Sequence, residues 1–138
     1  MNKKRRNKLH KLALAVEKAI EFYERDGIVV YNPNRAMENM VLNGKPFGTI
    51  ELYDEGEYSP DEATYKWIPP KGYTVHFLGS ERFSQCSYYL VRGNGNEFCI
   101  TDNAEYSPAE AFDNLEFIEF EDVPKFILAG LGSSLARQ

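Results

Sequence analysis

Two acidic pairs are the first residues in this chain whose types and spacing could do chemistry. Asp54 and Glu57 stand three positions apart, as do Asp102 and Glu105, and each pair follows an apolar run, "IELY" and "FCIT". Four carboxylates gathered in one place could hold Mg²⁺ or Mn²⁺ through oxygen ligands. A two-metal hydrolase would need that set and a Lys or His beside it, and neither pair has one nearby in sequence. Turn chemistry is the simpler account. An aspartate readily caps a turn, and a glutamate beside it stays in water.

The other candidates are sparse. His10 and His76 are the two histidines, and Cys86 and Cys99 the two cysteines. A catalytic His76 would need an orienting acid and a nucleophile, for which Ser84 or Cys86 are the candidates. Its place in the alternating run "YTVHFL" reads instead as a half-buried strand position. Cys99 reads as a small core residue. "GNGN" at 93–96 lacks the Lys-Ser/Thr of a phosphate loop and leads into a strand, so it reads as a hairpin turn. The cluster Lys3, Lys4, Arg5, Arg6 and Lys8 could meet nucleic-acid phosphates. A solvated, charged start explains it as well.

The acidic pairs belong to a longer duplication. "EYSPDEATY" at 57–65 and "EYSPAEAFD" at 105–113 repeat one phrase 48 positions apart. Each contains a capping box, Ser59-Pro60 with Glu62 and Ser107-Pro108 with Glu110, which marks a helix start. Each also follows a Gly-containing turn, "NGKPFG" or "RGNGN". The units 40–65 and 88–113 thus read as repeated hairpin, acidic turn and short capped helix. Two copies are too few for a solenoid.

The elements that must position these residues follow from periodicity. Leu9, Leu12, Ala13, Val16, Ala19, Ile20 and Tyr23 form the stripe of an amphipathic helix over 3–25. Gly27 stands where a left-handed cap would end it. Strands are predicted at 28–31, 47–53, 73–78 and 117–120, while 35–42 reads equally as helix or strand. "SYYLVRGNGNEFCIT" is a hairpin. With Asn94-Gly95 as a type I′ loop, Arg92 faces Glu97, Val91 faces Phe98 and Leu90 faces Cys99. That register keeps Cys86 away from Cys99. Asp122 is placed to cap a last helix over 123–131.

The expected fold is α+β. It comprises a mainly antiparallel sheet of about five to seven strands, the N-terminal helix on one face and short capped helices at the junctions. A chain of 138 residues suits one domain spanning 1–138. The net charge of −5 is unevenly spread, +4 over the basic amphipathic helix of 1–26 and −9 over 27–138. No run is long and apolar enough for a membrane span, and two cysteines make no disulfide framework. The expected setting is the cytoplasm.

These readings favour a non-catalytic binding module with no cofactor. It would be an acidic inhibitor, immunity protein or accessory factor docking on a basic partner protein, nucleic-acid-binding proteins among the candidates. An anti-restriction or anti-CRISPR type of inhibitor is the expected example. Its contact residues would be Glu55, Glu57, Tyr58, Glu105 and Tyr106. One rival is a nucleic-acid-binding regulator using Lys3, Lys4, Arg5, Arg6 and Lys8. The other is a metal-dependent hydrolase using Asp54, Glu57, Asp102 and Glu105. "FILAGLG" near the C-terminus leaves a homodimer open.

Overall fold

Apolar residues alternate along most of the middle of this chain, and alternation builds sheets. A computed structural model describes residues 24–58, 63–81, 86–102 and 115–129. Strands make up 53% of them, in sheets of five, three and two strands, with only two short helices. The fold is therefore mostly β, which corrects the α+β expectation.

The reasons for the correction are local. The predicted N-terminal helix lies outside the described residues except at its end, and that end is a strand. β1 (Glu24–Arg25) pairs antiparallel with Val75 and His76 of β7 (Tyr73–Ser80). Gly27 is not a left-handed cap. A Cβ there would run into the carbonyl of Trp67, so glycine permits a close backbone approach. The segment after the first "EYSP" is not helical at its end either, because Thr64 and Tyr65 open β6 (Thr64–Ile68).

β2 (Ile28–Val30) leads into a helix over Pro33–Glu38. Asn32 caps that helix by accepting a 3.1 Å bond from the Arg35 amide, and Pro33 sits in its first turn. This settles the ambiguous stretch as helix followed by strand. β3 (Val41–Leu42) and β4 (Lys45–Pro46) then form a two-stranded sheet, and β5 (Thr49–Asp54) joins a three-stranded one in the order β2-β6-β5.

The larger sheet runs β1-β7-β8-β9-β10, with β8 (Ser87–Gly93), β9 (Asn96–Asp102) and β10 (Leu115–Ile118). The β8–β9 register is the predicted one: Arg92 opposite Glu97, Val91 opposite Phe98 and Leu90 opposite Cys99. Asn94 (φ 50°) and Gly95 (φ 78°) both take positive φ, as a type I′ loop requires. Arg92 and Glu97 close a 2.8 Å ion pair across the strands. Neither Cys86 nor Cys99 is in a disulfide.

Both faces of this sheet are buried. On one, Val75, Val91, Ile100 and Leu115 meet Ile28, Val30, Trp67 and the helix residue Ala36. On the other, Leu78, Tyr88, Leu90 and Cys99 meet Val123, Ile127 and Leu128. The predicted last helix starts later than Asp122 would set it. Residues 120–122 make a 3₁₀ turn, Val123 is extended, and helix runs over 125–129. Pro124 explains the shift, because the residue before a proline is pushed out of helical geometry.

Candidate functional site: an acidic, aromatic strand edge

Residues 51–58, "ELYDEGEY", contain four acids. A strand carrying acids at that density cannot be buried on both faces without stranding charges. It is accordingly the outermost strand of the three-stranded sheet. Among the described residues β5 pairs only with β6.

Only Ile50, opposite Trp67, is drawn toward the core. A register shift between Leu52 and Asp54 inserts one extra residue. Such a bulge bends an edge strand and re-aims its side chains. From Glu51 to Tyr58 every side chain is exposed. Leu52 is 53% exposed, Tyr53 58% and Tyr58 84%, and Glu51, Asp54, Glu55 and Glu57 are all exposed.

Two contacts shape this surface. Lys66 of the neighbouring strand reaches across the sheet to pair with Asp26 at 2.9 Å, its ammonium 4.7 Å from the centre of the Tyr53 ring. The hydrogen bond from Lys66 lowers the Asp26 carboxyl below its ordinary value. Lys66 thereby holds Tyr53 against the outer sheet face. Asp54 Oδ1 accepts a 2.9 Å bond from the Gly56 amide, which turns the chain and sends Glu55 and Glu57 outward. Val29 and Tyr31 are exposed on β2 and just after it.

Of the five predicted contact residues, Glu55, Glu57 and Tyr58 sit on this edge, and Glu105 and Tyr106 lie outside the described residues. Lys3, Lys4, Arg5, Arg6 and Lys8 also lie outside them. Asp54 and Asp102 end strands of different sheets. Asp102 Oδ1 accepts from the Ser87 amide at 2.6 Å, so each aspartate holds a backbone N–H. Among the described residues no three His, Cys, Asp or Glu side chains stand close enough to share a metal ion.

His76 is buried, with Nε2 2.8 Å from Thr74 Oγ1, and Ser84 lies outside the described residues. The Cys99 thiol is pushed up to about 12 by burial first, and then by the charges of Glu97 and Glu119. It is a poor nucleophile near neutral pH. Among the described residues no helix is long and apolar enough to cross a membrane.

Sequence reasoning missed Leu52 and Tyr53 as surface residues, because alternation alone assigns one of each neighbouring pair inward. The acids on both sides of them carried the missing signal. No protein-family model matches this chain, and no curated protein or solved structure proved similar to it.

Proposed function

We propose that this protein is a non-catalytic docking module that presents its β5 edge to a basic surface on another protein. The observation that carries the reading is the exposure of every side chain in the 51–58 run, four acids interleaved with Leu52, Tyr53 and Tyr58. Exposed edge strands are commonly blunted with charge. Charge alone would have done that here. Leucine and tyrosines beside the acids add desolvatable area, and tyrosine is favoured at the energetic centres of interfaces.

The acids would steer a basic partner and set register, while the aromatic side chains supply contact area. A specific interface needs roughly 800 Å² per partner, so Val29 and Tyr31 belong to the same footprint. The proposed role is an inhibitor, immunity protein or accessory factor that occupies a basic groove, including one that binds nucleic acid. Two cysteines outside any disulfide suit a reducing, cytoplasmic setting.

The test is affinity capture with the full chain, comparing wild type, Glu57→Lys and the control Glu38→Lys, since Glu38 is exposed on a different element. The expected result is a basic protein retained by wild type and Glu38→Lys, and released by Glu57→Lys or by raised salt. Equal retention by all three would remove the edge from the interface.

A further inference from the structure

A pocket of about 540 Å³ opens between β9, β10 and the 120–122 turn. It lies on the face of the five-stranded sheet turned away from the β5 edge. Strand alternation explains its lining. Leu90, Cys99 and Ile118 belong to that face and form the apolar floor, with Phe120 beside them. Phe98 and Phe117 turn their rings to the opposite face, where they pack on each other and on Phe47. They leave mainly backbone to this side.

The mouth is negative. Glu97, Glu119 and Asp122 all line it, and among the described residues no Lys or Arg does. Glu97 is already paired with Arg92. Glu119 and Asp122 make no ion pair among the described residues. The fields of Glu97 and Glu119 both reach the Cys99 thiol, which places these two carboxylates around one floor. The volume lies inside the range of about 300–1,000 Å³ usual for small-molecule sites.

We infer that this pocket binds an organic cation, with an ammonium or amidinium head between Glu119 and Asp122 and an apolar body over Leu90, Cys99 and Ile118. Apolar burial alone would accept a neutral molecule equally well. The acids at the mouth add a preference for positive charge, and Phe120 adds a ring against which a cation can lie. A hydrated metal ion would make no use of the apolar floor. The inference is independent of the β5 edge.

The experiment is amide-shift titration of the isotope-labelled full chain with phenethylammonium and benzamidinium, against the neutral isosteres 2-phenylethanol and benzamide. Small ligands of about ten heavy atoms are expected to bind at low-millimolar Kd. Saturable shifts should map to 97–99 and 118–122, and the neutral isosteres should bind about tenfold more weakly. Glu119→Gln with Asp122→Asn should cost the cations a similar factor, while Glu38→Gln, on the Pro33–Glu38 helix, should change nothing. Both substitutions fall on exposed side chains, and the dispersion of the unliganded spectrum reports that the fold persists. Equal binding of the neutral isosteres, shifts confined to 51–58, or no saturable shift would each overturn the inference.

Discussion

Asn43-Gly44 and Asn94-Gly95 make the same turn and lead to opposite ends. Their φ values are nearly identical, 54° and 76° in the first, 50° and 78° in the second. The first joins two strands of two residues each, and the β5 that follows is left at a sheet edge. The second joins two strands of seven residues in the middle of the largest sheet. The turns are interchangeable in chemistry, so the difference comes from what flanks them. "SYYLV" and "FCIT" offer apolar residues to both faces, while "ELYDEGEY" offers acids. The repeated phrase thus follows a strand inside the largest sheet in one place and an exposed edge strand in the other.

The largest expected effect breaks the first copy at its anchor. Gly48 has φ +97°, and a Cβ there would enter the Trp67 indole and the Ile68 carbonyl. Trp67 is 0% exposed and donates its indole N–H to the Phe47 carbonyl at 3.0 Å. Gly48→Ala should cost about 3–5 kcal/mol from backbone strain and overpacking together, read by urea unfolding. A loss under about 1 kcal/mol would mean that Trp67 is not wedged there.

A smaller effect tests the equivalence of the turns. Among the described residues, no atom beyond the adjoining residues lies within 4 Å of a Cβ placed on Gly44 or Gly95, so the positive φ is what opposes substitution. Gly44→Ala and Gly95→Ala should each cost about 1–2 kcal/mol, and the two losses should agree with each other better than either agrees with Gly48→Ala. A much larger loss at Gly95 would show that strand length, and not the turn, sets the cost.

The smallest effect belongs to the buried second copy. The Cys99 thiol rises from an ordinary 9.0 to about 12 on folding. Its folded value lies above its unfolded one. Its contribution to stability is therefore complete below about pH 9 and is lost as pH climbs toward about 12. Tyr88 follows the same sign one step higher, from 10.0 to about 12, chiefly through burial. Between about pH 9 and about pH 10 the fall in unfolding free energy should shrink in Cys99→Ala. An unchanged slope would remove Cys99 as its source.

Much of the scaffold could be read from residues. Asn94-Gly95 with an Arg and a Glu at matched distances leaves one sensible register, and the structure has it. The lack of a Cys86–Cys99 disulfide followed from that register. Asp54 as a turn cap followed from its side chain's reach to the backbone two residues on. What could not be read was long-range. Glu24 and Arg25 close the helix predicted over 3–25, yet the edge of β7 gives them ladder partners. Thr64 and Tyr65 follow a strong capping box, yet they lie between β2 and β5. Separation into sheets of five, three and two strands depends on which apolar faces meet, and pattern does not encode that. The candidate edge was half legible. Its acids were identified, but exposure of Leu52 and Tyr53 came only from β5 being outermost.

The most direct test of docking by this edge is a binding isotherm between the full chain and the basic protein it captures, measured with wild type and with Glu55→Lys/Glu57→Lys at low and high salt. The expected outcome is a loss of at least about tenfold in affinity on charge reversal, a wild-type affinity that falls with salt, and unfolding free energies equal within about 0.5 kcal/mol. An isotherm unmoved by both reversal and salt, with the fold intact, would contradict it.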